Sequence, residues 1–123
     1  MTALPEVPEP VEGPTDPEDN KIITLARSAL ARTGAAQGGC LRDTDGRTYA
    51  GTSIDLDHLR LSAVQVVVAM AVSSGAQGVE AVAVAGEQPS AADLAVLGEL
   101  PGSDVVVWVT DPAGAVRDKL ELP

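Results

Sequence analysis

Apolar positions along this chain recur first at helical spacing, then in short alternating runs, and then in one long and nearly continuous segment. Ile22, Ile23, Leu25, Ala26, Ala29 and Leu30 form a stripe that predicts an amphipathic helix from about Lys21 to Thr33-Gly34. Gly38 to Asp43 reads as a strand, Asp45-Gly46 as a hairpin turn, and Arg47 to Ile54 as the returning strand. The longest apolar run, Leu59 to Val72, predicts a second helix from about Leu56 to Ser74, with Gly75 as its C-cap glycine. Val66-Val67-Val68 suits a strand by local propensity, but the run has the length of a helix. That helix is apolar nearly all round, which implies burial on more than one side.

The second half alternates strand and helix. Val79 to Ala85 suits a buried strand. Pro89 opens a third helix that runs to about Gly98, at a position where its missing N–H does no harm. Val105 to Val109 is a β-branched strand, Asp111-Pro112-Ala113-Gly114 a turn, and Val116 to Leu120 a last strand. The order αββαβαββ predicts one α/β domain, a mixed β-sheet of about five strands covered by helices.

Charge separates an N-terminal segment from this domain. Residues 1–20 hold Glu6, Glu9, Glu12, Asp16, Glu18 and Asp19, no basic residue, and five of the nine prolines. Extended prolines and mutually repelling carboxylates predict a disordered acidic tail over 1–20 and a folded domain over 21–123. Such a tail suits recognition of a basic protein partner, or serves as a solubilising extension. Of the formal net charge of −10, the tail accounts for −6 and the rest of the chain for −4.

Composition excludes several function classes. Neither segment has the basic stripe that binding to a phosphate backbone needs, so no nucleic-acid partner is expected. Phe is absent and Trp108 and Tyr49 stand alone, which leaves few platforms for stacking bases. The lone Cys40 has no partner for an intramolecular disulfide and reads as a small buried hydrophobe. The first residues have neither the basic nor the apolar region of a secretory signal. Leu59 to Val72 is too short and too interrupted by Arg60, Ser62 and Gln65 to span a membrane. A soluble cytoplasmic protein is the expectation.

Several motifs occur in an order that points to one family. Gly38 to Arg47 is a small-residue strand leading into Asp-Gly-Arg, followed by Thr48-Tyr49-Ala50-Gly51. Leu61-Ser62-Ala63-Val64 opens the long apolar segment, and Val79 to Val84 follows as a strand. The chain ends Leu120-Glu121-Leu122-Pro123. From about Ile23 to Pro123 this resembles the small cytidine deaminases. The resemblance implies a cytidine-deaminase-like sheet, a zinc ion, and a homotetramer with second helices meeting at its centre.

The same resemblance identifies the residues on which catalysis would depend. In that family Leu-Cys-Ala-Glu supplies one zinc ligand and the proton-shuttle carboxylate, and Pro-Cys-x-x-Cys supplies two more ligands at the third helix. Helix N-termini suit this because their free N–H groups stabilise thiolates. Here Ser62 stands at the first ligand, Val64 at the proton shuttle, and Ser90 and Asp93 of Pro89-Ser90-Ala91-Ala92-Asp93 at the other two. A neutral hydroxyl is a poor zinc ligand, and Val has no proton to move. The reading therefore predicts no cofactor, zinc included, and a catalytically inactive protein, a pseudoenzyme with an interaction, structural or ligand-sensing role. The alternative is an active cytidine or nucleoside deaminase, or another hydrolase, that uses a non-standard metal site.

The expected ligand-binding segment has changed as well. Where the family reads Asn-Val-Glu-Asn to hold ribose hydroxyls, this chain reads Ser53-Ile54-Asp55-Leu56. Ser53 and Asp55 are the candidate ligand-binding residues, although Asp55 or Asp57 equally suits a helix N-cap. Asp55, Asp57 and His58, with Asp93, offer metal-ligating side chains. Adjacent residues at a helix start point in different directions, which argues against their convergence on one ion. No Gly-x-Ser-x-Gly, P-loop or dinucleotide signature occurs. The apolar second helix predicts a homo-oligomer, a dimer or a tetramer.

Overall fold

The computed structural model describes residues 11–122. Its first helix, α1 (Pro17–Thr33), begins four residues before the expected start at Lys21. The residues read as tail chemistry are helix-start chemistry instead. The Asp16 side chain caps the helix by accepting from the Glu18 N–H at 2.9 Å, and Pro17 fills the first turn, where no N–H is needed. Glu18 and Asp19 lie at the positive end of the helix dipole. The expectation of a tail is thus overturned over 17–20, and its part over 1–10 lies outside the described residues. Gly34, at φ 65°, ends the helix in the left-handed conformation that glycine adopts without strain.

The expected hairpin is present as β1 (Gln37–Asp43) and β2 (Thr48–Thr52), paired antiparallel with Cys40 opposite Ala50. Asp43 organises its turn. One carboxylate oxygen accepts from the Asp45 and Arg47 N–H groups and the other from the Tyr49 hydroxyl at 2.9 Å. The sheet continues through β5 (Val79–Gly86), β6 (Val106–Thr110) and β7 (Val116–Glu121), in the spatial order β2-β1-β5-β6-β7. Only the β5–β6 pair is parallel among these strands; the others run antiparallel. This is the expected five-stranded mixed sheet.

The largest departure lies before the second helix. Residues expected to continue that helix back to Leu56 instead form a small hairpin, β3 (Ile54–Asp55) against β4 (Arg60–Leu61). Helix α2 (Ala63–Ser73) starts only at the Ser62 cap. Leu56 and Leu59 supplied part of the apolar pattern, yet they are 60% and 46% exposed at the hairpin tip. The cap decides the boundary. Ser62 accepts from the Gln65 N–H while the Gln65 side chain accepts from the Ser62 N–H, a reciprocal arrangement that satisfies two free donors. Asp55 and Asp57 are therefore not the N-cap. Helix α3 (Ala91–Gly98) is capped likewise by Ser90, so Pro89 precedes the cap rather than opening the helix.

Alternation along the strands sorts the core into two layers. Cys40, Ala81, Ala83, Ala85 and Trp108 pack with Ile22, Ile23, Ala26 and Leu30 of α1. Leu41, Val82, Val84, Val107 and Val109 pack on the other side with Val64, Val67 and Ala71 of α2 and Leu97 of α3. Gly38 and Gly39 let both helical layers approach β1 closely. A Cβ on Gly38 would meet the Ala26 carbonyl oxygen, and one on Gly39 would lie 3.2 Å from the Ala63 Cβ. Among the described residues, no helix is long and apolar enough to cross a membrane.

Candidate functional site

The N-termini of α2 and α3 come together on one face of the sheet and bring Ser62, Ser90 and Asp93 into a single hydrogen-bonded group. The Ser62 hydroxyl donates to Asp93 Oδ1 at 2.6 Å and accepts from the Gln65 N–H at 3.1 Å. The other carboxylate oxygen, Oδ2, accepts from the Ser90 N–H at 3.0 Å. The Asp93 N–H returns a bond to the Ser90 hydroxyl at 3.1 Å. Asp93 is buried at 4% exposure. Three positions that the sequence singled out from two distant segments thus occupy one place.

Gln37, at the start of β1, completes the arrangement and was not anticipated. Its side-chain oxygen accepts from the Ala63 N–H at 3.2 Å, and its amide nitrogen donates to the carbonyls of Glu87 and Gln88 at 3.0 and 3.2 Å. One buried amide therefore joins the start of α2 to the segment leading into α3. Its partners lie 26, 50 and 51 positions away, so no local pattern marks it.

Val64 follows directly along α2, but its side chain turns into the core with no exposure and packs within the cluster that includes Leu41, Val82 and Leu97. Ser53 reaches the group only through Gln37. Its hydroxyl accepts from the Gln37 N–H at 3.0 Å, and its own N–H donates to the Gln37 carbonyl at 2.9 Å. Asp55 is turned outward and pairs with Arg60 at 3.2 Å, with side-chain exposures of 89% and 73%. Asp57 and His58 are exposed at the hairpin tip.

These side chains do not fit a catalytic zinc ion. The donor set consists of two neutral hydroxyls and one carboxylate, and both carboxylate oxygens already accept hydrogen bonds. Among the described residues, no three His, Cys, Asp or Glu side chains are placed to share a metal ion, so Asp55, Asp57, His58 and Asp93 do not converge. Cys40 lies on the other face of the sheet, packed with the α1 cluster. Burial pushes its thiol up to about 11, which makes it a poor nucleophile and a poor ligand.

A mixed sheet with one helix on one side, and two helices meeting by their N-termini on the other, defines an α/β protein built around a helix-end site. The family described as cytidine deaminase-like matches the chain over residues 15–114, and the chain belongs to that family. No curated protein matches it in sequence. Among solved structures, the cytidine deaminase from Burkholderia pseudomallei superposes with a TM-score of 0.70 at 23% identity, over 83% of this chain and 91% of that one. The enzyme from Mycobacterium tuberculosis gives 0.65 at 25% identity, over 75% and 85%. That from Mycobacterium leprae gives 0.66 at 18% identity, over 84% and 92%.

Proposed function

We propose that this chain is a non-catalytic member of the cytidine deaminase-like family, working in the cytoplasm as an interaction, structural or ligand-sensing protein. The observation that carries this reading is the fate of the polar atoms at the two helix ends. The Ser62 hydroxyl and both oxygens of Asp93 are spent on one another and on helix caps. Deamination needs a metal-bound water and a carboxylate to shuttle protons. The residue where the resemblance puts that carboxylate is Val64, which is fully buried. The competing reading, a deaminase or hydrolase with a non-standard metal site, requires this group to open and recruit ligands from elsewhere.

Elemental analysis and a cytidine-to-uridine assay on the purified chain decide between them. Less than stoichiometric zinc and no uridine above the blank is the expected result; turnover above the blank overturns it. Thermal-shift screening with nucleosides tests the sensing role, because a ligand that binds the native state raises the melting temperature.

A homo-oligomer is part of this proposal. Support comes from α2, whose buried side chains Ala63, Val64, Val67 and Ala71 face the sheet while Met70 and Val72 stay 38% and 52% exposed. Apolar residues on the outer side of a helix gain stability by meeting a second copy. Size-exclusion chromatography with light scattering should show a dimer or tetramer, and a monodisperse monomer would remove this part of the reading.

A further inference from the structure

Resting on the non-catalytic reading above, we propose that Asp93 is a clasp that fastens the N-terminus of α3 to that of α2, a side-chain cross-link standing where the family resemblance puts a shared metal ion. The geometry divides the carboxylate between two helices. Oδ2 stays at home on the Ser90 N–H, and Oδ1 reaches across to the Ser62 hydroxyl, 31 positions earlier. The 2.6 Å separation lies in the short range of hydrogen bonds from a hydroxyl to a charged carboxylate, which are stronger than neutral ones.

Direction in the clasp is fixed by what each group can do. An ionised carboxylate only accepts, so the Ser62 proton must point to Asp93. The Ser62 oxygen remains free to accept from the Gln65 N–H and does so. Two helix caps are thereby joined through a single hydroxyl. Each is also satisfied within its own helix, because Gln65 returns a bond to the Ser62 N–H and Asp93 donates its own N–H to the Ser90 hydroxyl. The inter-helix bond is an addition to ordinary capping, not a requirement of it.

A second bridge runs in parallel. Ala63, the first residue of α2, donates to Gln37, and Gln37 donates to Glu87 and Gln88 on the approach to α3. The start of α2 is therefore tied to the start of α3 once directly and once through β1. Asp93 and Gln37 are both buried, where an unpaired polar group is costly and a fully paired network is rigid.

The test is a double-mutant cycle on the full chain with a chelator present, comparing wild type, Ser62→Ala, Asp93→Ala and the double variant by thermal melting. The two capping losses fall in different helices and would add; a lost shared bond is counted once. Each single variant should melt several degrees lower, and the double should fall clearly short of the summed shifts. Summed shifts overturn the clasp. Should Asp93→Ala not fold, Ser62→Ala alone decides by amide hydrogen exchange. The clasp predicts roughly threefold or faster exchange at Ser90 and Asp93, in the helix that Ser62 does not cap. Acceleration confined to α2 overturns it. A chain without zinc or turnover whose losses add keeps the non-catalytic reading and loses the clasp. One that deaminates cytidine and still shows coupling does the reverse.

Discussion

The Trp108 indole N–H donates to Asp19 Oδ2 at 3.1 Å, joining the first turn of α1 to β6 across 89 positions of sequence. The other oxygen of Asp19 lies 2.8 Å from Arg42 Nη2, and Arg42 Nε lies 3.1 Å from Glu80. One carboxylate thus connects α1, β1 and β6, and Glu80 extends the connection to β5. Its position explains why α1 begins at Pro17 rather than at Lys21. The acidic start of α1 caps the helix and is anchored to the sheet by the same short stretch of chain.

Removing Asp19 should therefore unfasten α1. Asp19→Ala leaves Arg42 buried without its closer carboxylate and the Trp108 N–H without an acceptor. Breaking a buried pair costs about 3 to 5 kcal/mol, and the lower end is expected because Glu80 still faces Arg42. Urea unfolding of the variant against wild type measures the loss. A change under about 1 kcal/mol, the scale of an exposed pair, would show that the network contributes little.

Asp43 predicts a pH dependence with a definite sign. Burial pushes its carboxyl up, but the Arg47 and Asp45 N–H groups and the Tyr49 hydroxyl together hold it below the ordinary carboxylate range. A depressed folded value contributes stability that is fully present above the unfolded value of about 3.9 and is lost as pH falls through the folded value. Asp43→Asn should be less stable than wild type near neutral pH, and the gap should narrow only in strong acid. Unfolding midpoints of both proteins between neutrality and strong acid check this. A gap that stays constant across that range would assign the loss to the missing acceptor alone.

Cys40 should be chemically silent. Its side chain has no exposure, and its thiol is pushed up to about 11 by burial, so little thiolate exists at pH 8. A disulfide-exchange reagent should label less than a tenth of the native chain over minutes and all of it in denaturant. Rapid native labelling would reveal an opening of the α1 layer that exposes β1.

Much of this arrangement is legible in the sequence, and the failures share a cause. Asp45-Gly46 announces the β1–β2 turn because a glycine at positive φ is a local requirement, met here at 85°. The stripe from Ile22 to Leu30 announces α1 because one helix face is buried. Leu56 and Leu59 misled because they are apolar and exposed, so a pattern that assumes burial assigns them to the wrong element. The acids and prolines from Asp16 to Asp19 have two readings, disorder or a helix start, and the Asp16 cap and the tertiary bonds of Asp19 choose the second. Only the family resemblance groups Ser62, Ser90 and Asp93, since no spacing rule links positions 31 apart. Gln37 had no such help.

Val64 offers the sharpest check on the site. If the position where the resemblance puts the proton shuttle faced the meeting point of the helix ends, a carboxylate there would lie against polar helix termini rather than apolar side chains. The structure instead puts Val64 in the core with no exposure, among Leu41, Val67, Val82 and Leu97. Val64→Glu must then bury a charge without a partner or stay protonated at neutral pH. Either outcome should cost at least about 3 kcal/mol, the scale of an uncompensated buried charge, and restore no deamination. Val64→Ile, which keeps the site apolar, should lose less despite its added bulk. Urea unfolding of the two variants separates these cases. Wild-type stability in Val64→Glu would mean that the side chain escapes toward the helix ends, and that position 64 is open to the site.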